Sequence, residues 1–195
     1  MDTEKDKMLS GKPFKAFDKK LSEEREKAKE LLFEFNTSRP KEFAKKNELL
    51  KKLIGKTSKS MYIEPPFYCD YGYNIEIGNK FYANTNLTIL DCGIVSIGSN
   101  VFIGPNVGIY AVSHPIHYEP RNNYFEVAHP ITIGDNVWIG GSVIINPGVT
   151  IGDNSVIGSG SVVTKNIPEN VVAVGNPCRV LRKITETDKN KFKLN

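Results

Sequence analysis

The chain is short of the residues that most sharply restrict function: three cysteines, three histidines and one tryptophan among 195 residues. Cys69, Cys92 and Cys178 are odd in number, far apart and never in a C-x-x-C pair. That argues against a disulfide framework or a zinc finger and for reduced thiols in the cytosol. No apolar run approaches the roughly 20 residues that span a bilayer, so no membrane partner is expected. Behind Met1-Asp2-Thr3-Glu4-Lys5-Asp6-Lys7 there is no apolar stretch of the kind a signal peptide needs. A cytoplasmic protein is expected. Walker and Rossmann glycine motifs are also missing, and the many Ile-Gly pairs fall instead at a fixed period.

Positive charge is in excess in only one part of the chain. Residues 1–60 hold 17 Lys+Arg against 11 Asp+Glu, and the remainder 9 against 11. A basic stretch can serve nucleic acid. Here Lys and Glu alternate as on a solvated helix face, and no stacking aromatics line up with the basic positions, so nucleic acid is not an expected partner. The same stretch reads as helical. Ser22-Glu23-Glu24 offers an N-cap followed by first-turn acids, and Ala28, Leu31, Leu32 and Phe35 recur at helical spacing. Pro40 suits the first turn of a second helix with the stripe Phe43, Leu50, Leu53 and Ile54, closed by Gly55. These stripes read first as packing surfaces, with covering of an acceptor pocket as the alternative.

From about residue 61 the texture changes to β-branched residues, Gly, Asn and Asp with a period of six. Ile133-Gly-Asp-Asn-Val-Trp, Ile139-Gly-Gly-Ser-Val-Ile, Ile145-Asn-Pro-Gly-Val-Thr and Ile151-Gly-Asp-Asn-Ser-Val follow one another without a gap. Ile77-Gly-Asn-Lys-Phe-Tyr, Ile97-Gly-Ser-Asn-Val-Phe and Ile103-Gly-Pro-Asn-Val-Gly repeat the pattern upstream. A six-residue period with an aliphatic head is the signature of a hexapeptide β-helix. Each six supplies a flat strand and a turn, three sixes make a triangular coil, and coils stack at roughly 4.8 Å. The aliphatic head points into the prism. The Gly after it, and the Asn/Asp next, suit corners that need permissive backbone angles. The expected fold is all-β: a parallel β-helix over 61–184 with a helical segment over 1–60 and a tail over 185–195.

Function is expected where the period fails. After Ile109 the chain makes one excursion, loop 113–130, opened by His114 and His117 and closed by His129 before repeats resume at Ile131. A flat-faced prism makes no deep pocket alone. Packing three prisms about a three-fold axis would create clefts between subunits.

Several motifs punctuate the repeats: Cys69-Asp-Tyr-Gly-Tyr-Asn-Ile75, Phe81-Tyr-Ala-Asn84, His114-Pro115, Pro130 to Gly140, Asn146 to Asn154 and Gly175-Asn-Pro-Cys-Arg179. Met8-Leu-Ser-Gly11 and the Phe33, Asn36, Ser38 region extend the pattern toward the N-terminus. Together they resemble the maltose and galactoside O-acetyltransferases nearly end to end, and the Cys-Asp-Tyr-Gly-Tyr-Asn and Leu90-Asp91 stretches look nearer the maltose branch. The resemblance implies a left-handed coil, a homotrimer, acetyl-CoA as co-substrate, a sugar hydroxyl as acceptor and no metal. Acetyl transfer from a thioester needs a base for the hydroxyl, a carbonyl held beside it and stabilisation of the developing oxyanion.

An imidazole suits the base, and the family's base falls on His114. Asp70 and Asn84 fall on positions that hold the acceptor. The galactoside branch carries a carboxylate at the position of Cys92 and another that lands on Ala16, with Asp18 nearby; these departures weigh against a galactoside preference. Glu126 is a candidate to orient His114. For coenzyme A the resemblance implies Trp138 beside the pantetheine, the Gly141 N–H on the thioester oxygen, Ser159, Thr164 and Lys165 along the groove, and Arg179 and Arg182 on phosphates. His117 and His129 read as surface or hydrogen-bonding residues. Zinc held by histidines, as in a hexapeptide-repeat carbonic anhydrase, does not fit their pattern. Cys92 reads as a buried small residue before a nucleophile. The rival functions are the same transfer to serine or an antibiotic, and a non-catalytic trimeric β-helix that binds.

Overall fold

The computed structural model describes residues 2–58 and 60–190, and the expected tail lies outside the described residues from 191 onward. Helix α1 (Glu4–Leu9) begins at a reciprocal capping box between Thr3 and Asp6. Helix α2 (Lys19–Thr37) begins at Asp18 and not at Ser22. The Asp18 carboxylate accepts the N–H of Lys20 at 3.0 Å and of Leu21 at 3.1 Å. A full negative charge at a helix N-terminus caps better than a hydroxyl one turn later, so Ser22 lies within the first turn. Helix α3 (Phe43–Leu53) starts after Glu42, whose side chain caps no helix N–H and accepts from Arg39 N–H, and Pro40 lies ahead of it. Gly55 follows the C-cap Ile54, and its missing Cβ makes room for the backbone of Tyr73 and not for a left-handed turn. Helix α2 is pinned to the solenoid by Asn36, whose side-chain amide donates to Phe67 O and accepts from Phe67 N–H, both at 2.9 Å.

The solenoid has three parallel faces. Strands Ile75–Ile77, Val95–Ile97, Ile131–Ile133 and Thr150–Ile151 form the first. Met61–Ile63, Phe81–Ala83, Phe102–Ile103, Trp138–Ile139, Val156–Ile157 and Val171–Val174 form the second, whose last edge is covered by Arg179–Lys183, antiparallel to Val171–Val174. Phe67–Cys69, Leu87–Leu90, Gly108–Tyr110, Ile144–Ile145 and Val162–Val163 form the third. The row heads make buried columns: Ile77, Ile97, Ile133 and Ile151; Ala83, Ile103, Ile139 and Ile157; Ile89, Ile109, Ile145 and Val163. Equivalent residues lie 20 apart in the first coils, 18 in the later ones and 16 at the last. They lie 36 apart across the excursion, twice the 18-residue spacing, so the loop takes the length of one coil and the register survives.

The corner residues divide their work differently from the sequence expectation. The second-position glycines do not supply left-handed backbone; they allow close approach. A Cβ on Gly98 would lie 2.7 Å from the carbonyl carbon and oxygen of Gly134 in the next coil, and one on Gly104 would lie 2.6 Å from Gly141 N. The left-handed angles fall two positions further on, at Asn100, Asn136, Asn154 and the equivalent Asn170, all with φ of 56–58°, and at Lys80 and Ser142 after Gly78 and Gly140. Asparagine tolerates that region because its short amide bonds locally. Here each of the four amides also joins its neighbour in the adjacent coil, at 2.9–3.1 Å, building a ladder up the corner.

This division can be tested by two alanine substitutions. Gly98→Ala must force two backbones apart and should cost about 3 kcal/mol, as overpacking does. Gly160→Ala, at φ +71° with nothing within 4 Å of the new Cβ, should cost only about 1 kcal/mol of backbone strain. Denaturant unfolding measures both. Equal costs would return the glycines to a purely conformational role.

Candidate active site

The excursion is a built element and not a loose connection. Its outgoing strand, Val112–Ser113, pairs antiparallel with the returning strand Phe125–Ala128, and that strand pairs on its other edge with Phe14–Lys15 from the N-terminal segment. His114 stands just after the outgoing strand. Helix α4 (Tyr118–Asn122) makes the turn, with His117 as its N-cap: Nδ1 accepts from Glu119 N–H at 3.4 Å. His129 is exposed where the excursion rejoins the coils.

His114 faces a cleft of about 240 Å³ lined by Ala16, Phe17, Arg25, Asp70, Cys92 and Glu126, among others. The N-terminal segment therefore forms one wall. The His114 side chain is more than half exposed, its Nδ1 lies 3.4 Å from Phe125 O, and its Nε2 lies 3.8 Å from Glu126 Oε1. A ring protonated on Nδ1 would donate to that carbonyl and leave Nε2 open to the cleft. The Glu126 contact is too long for a hydrogen bond, so the ring is not oriented by one from Glu126. Cys92 Sγ sits between two carboxylates, 3.7 Å from Asp70 Oδ2 and 3.9 Å from Glu126 Oε2. Burial pushes the Cys92 thiol well above its ordinary range, and the two carboxylates push it further. It is packed with Met8, Phe14, Leu21, Tyr71 and Ala128 in a small second core.

Burial raises Asp70 against the pull of Arg25, and it raises Glu126 against the pull of His114. Beneath them is Asp91, fully buried. Its Oδ1 accepts the N–H groups of Asp70 at 3.0 Å and Tyr71 at 2.9 Å, and Asn74 Nδ2 donates to its main-chain O at 2.8 Å. Desolvation lifts the Asp91 carboxyl to about 6 despite these donors. Arg25 joins the same assembly, donating to Tyr71 Oη at 2.6 Å and Ala16 O at 2.6 Å. Sequence reasoning missed Arg25 and the role of Asp91. Arg25 hides in a run of helix charges, while Asp91, carried in the Leu90-Asp91 motif, could have been flagged.

Other expected site residues lie elsewhere. Asp18 is spent on capping α2 and does not line the cleft. Asn84 sits at a corner of the solenoid, its Oδ1 accepting from Thr85 N–H at 2.8 Å, and Trp138 projects from the second face; neither lines the His114 cleft of the same chain. Ser159, Thr164, Lys165 and Arg179 are exposed on the later coils. Among the described residues the Gly141 N–H meets no backbone acceptor. The Arg182 guanidinium makes a two-point pair with Asp188 at 2.7 and 2.8 Å. Among the described residues no group of three or more His, Cys, Asp or Glu is set to hold a metal ion, and no helix is long and apolar enough to cross a membrane.

A solenoid of six-residue repeats, three to a coil, with one excursion over a cleft is the architecture of a hexapeptide-repeat protein. Residues 7–58 match the maltose acetyltransferase hexapeptide capping motif, and residues 130–165 match the bacterial transferase hexapeptide. The galactoside O-acetyltransferase of Escherichia coli K12 is 51% identical over 187 residues, covering 96% of this chain and 92% of that one. A putative acetyltransferase of Saccharomyces cerevisiae is 55% identical over 172 residues, 88% of each chain. Among solved structures, a maltose O-acetyltransferase from Clostridium difficile 630 superposes with a TM-score of 0.93 at 53% identity, covering 94% of this chain and 98% of that one. A galactoside acetyltransferase in complex with coenzyme A gives 0.94 at 51% identity, covering 97% and 94%. The chain belongs to the galactoside and maltose O-acetyltransferase family of hexapeptide-repeat enzymes.

The buried Asp91 gives a pH signature. Its folded value of about 6 stands above the ordinary 3.8, so the native state binds the proton more tightly than the unfolded chain. This group's contribution is complete below the unfolded value and is lost as pH rises through 6. Asp91→Asn carries no charge to bury. The stability of the variant relative to wild type should therefore rise between pH 4 and pH 7, by up to about 3 kcal/mol. Urea midpoints at the two pH values measure it, and a difference independent of pH would mean that the carboxylate is solvated.

Proposed function

We propose that this enzyme moves the acetyl group of acetyl-CoA directly to a hydroxyl of a glucosyl-type sugar, with His114 as general base. The observation that carries the reading is the His114 ring, backed at Nδ1 by a main-chain carbonyl and open at Nε2 to a cleft walled by hydrogen-bonding carboxylates. In the reaction the acceptor oxygen attacks the thioester carbonyl while its proton passes to Nε2. The tetrahedral intermediate then collapses, the carbon–sulfur bond breaks, and the imidazolium returns the proton to the departing thiolate. The products are an acetyl ester and coenzyme A. Asp70 and Glu126 offer acceptors for the remaining sugar hydroxyls, and their negative charge favours the imidazolium formed in transit. A thiol held far above its ordinary range is a poor nucleophile, which supports direct transfer over an acyl-Cys92 intermediate.

For the acetyl-CoA side, the donor set fits a thioester and its phosphates. The Gly141 N–H is open to a carbonyl oxygen, Trp138 presents an exposed ring, and Ser159, Thr164, Lys165 and Arg179 continue along the later coils. Arg182 would have to share its guanidinium with Asp188 to reach a phosphate. The cofactor side and the His114 cleft are not on one wall of the protomer, which supports a homotrimer. The second face carries Tyr62, Tyr82, Phe102 and Trp138 outward in one ladder, with Phe102 53% and Trp138 57% exposed. Packing that ladder against a neighbour's excursion would cover apolar surface and bring Trp138 and Asn84 to another subunit's His114. Three buried free thiols suit a reducing, cytoplasmic setting.

Two experiments test the reading. His114→Ala should lower kcat by roughly 10²–10⁴, the usual worth of a positioned base, while acetyl-CoA still binds. Thiol release from acetyl-CoA with glucose, maltose and serine measures it, and because only the neutral ring accepts a proton, wild-type activity should fall on acidification. A near wild-type rate in His114→Ala, or label retained on Cys92, would overturn the mechanism. For assembly, sedimentation should give about three times the 21.8 kDa protomer. An active monomer would sink the shared site.

A further inference from the structure

A second concavity, of about 450 Å³, adjoins the His114 cleft. The two share Asp70 and Leu90, and the larger one continues between α2 and the third face, past Lys29, Phe33 and Tyr68. Phe33 is 67% exposed and Tyr68 49% exposed. Neither ring serves the core. Phe33 lies off the buried stripe of α2, and Tyr68 is the outward residue of a strand whose neighbours Phe67 and Cys69 point inward. A lone exposed aromatic is ordinary. Two of them lining one groove that opens into a reaction cleft require a reason.

The groove is also held in shape. Asn36, one turn beyond Phe33, binds the backbone of Phe67, the residue next to Tyr68, through both ends of its side-chain amide. That clamp sets the distance between the element bearing one ring and the element bearing the other. Lys29 and Asp70 add a cation and a carboxylate to the lining. A preformed hollow of this size, mostly apolar and aromatic with a few convergent polar groups, is the form that small-molecule sites take. Flat rings suit the C–H faces of a pyranose, and the two charged groups suit its hydroxyls.

We infer that this groove is a second acceptor subsite, receiving the non-reacting ring of a di- or oligosaccharide while the reacting ring sits by His114 with Asp70 at the junction. The inference rests on the sugar reading above and narrows it: the acceptor is longer than one pyranose. Rings held rigidly before binding lose little freedom on contact, so they contribute mainly to affinity for the longer acceptor.

The test compares kcat/KM for glucose, maltose and maltotriose, with saturating acetyl-CoA, in wild type, Phe33→Ala, Tyr68→Ala and the conservative Phe33→Trp. The maltose-to-glucose ratio should be above one in wild type and should fall about 10-fold in each alanine variant through KM, a change equivalent to one pocket contact. Phe33→Trp should keep it. Glucose turnover in the same preparations reports folding, and Tyr68→Leu replaces any variant that does not fold. A wild type that acetylates no sugar overturns both this inference and the sugar reading. Sugar acetylation with an unchanged ratio overturns the subsite alone. So does loss of the native sedimentation in the alanine variants with the ratio intact, because the groove would then be covered by a second copy.

Discussion

Each coil of the solenoid must lie on the next at strand spacing, about 4.8 Å, and this approach sets most of the sequence from Met61 onward. It excludes a Cβ where one coil's corner meets the next, which is why Gly98 and Gly104 face Gly134 and Gly141. It makes the inward residue of each row meet its own equivalent, so an aliphatic column forms wherever the heads agree. It also places asparagine over asparagine at the left-handed corner, where their amides bond along the stack. The same regularity denies the prism a pocket. A site has to come from chain that leaves the stack, and the departure must not shift the register of the later coils. An excursion as long as one coil, zipped to the N-terminal strand Phe14–Lys15, meets both conditions.

The cleft depends in turn on a carboxylate that never reaches it. Asp91 is buried, and burial of a charge is costly unless donors surround it. Its donors are the backbone N–H groups of Asp70, Tyr71 and Asn74. The turn carrying Asp70 is therefore wrapped around Asp91, with Arg25 tying Tyr71 to the N-terminal segment. The Cys-Asp-Tyr-Gly-Tyr-Asn motif is thus chiefly a packing knot. Cys69 is core, Gly72 adopts φ +79° against Leu53, Tyr73 donates to Glu24 at 2.6 Å, and only Asp70 faces the cleft.

The solenoid was legible because one physical requirement recurs at a fixed spacing; a pattern of row heads survives any single exception such as Ala83. The glycine role was misread because composition does not distinguish a residue chosen for its angles from one chosen for its size. The start of α2 was misplaced because Asp18 and Ser22 are both competent caps within one turn, and only geometry shows which carries the orphan N–H groups. His114 stood out at the break in the period and by resemblance, whereas the carbonyl of Phe125 that backs its ring has no side-chain signal. Arg25 is one of many charges on a helix, and its reach to Tyr71 and Ala16 depends on how α2 docks.

This docking separates two kinds of variation. The wall formed by Ala16, Phe17 and Arg25, and the groove bounded by Phe33, belong to the N-terminal segment. The proposed cofactor residues from Trp138 to Arg179 belong to coils fixed by the stacking requirement. Substitutions on the outward side of α2 meet no register constraint, because α2 touches the solenoid through its buried stripe, the Asn36 clamp and the bonds of Glu24 and Arg25 to Tyr73 and Tyr71. Substitutions among the later coils must satisfy strand spacing on both sides. On the proposed assignment of these residues, acceptor preference can therefore change while the transfer chemistry and the cofactor surface stay fixed. That is the arrangement expected of a fold whose scaffold is rigid and whose specificity is carried by the elements packed against it.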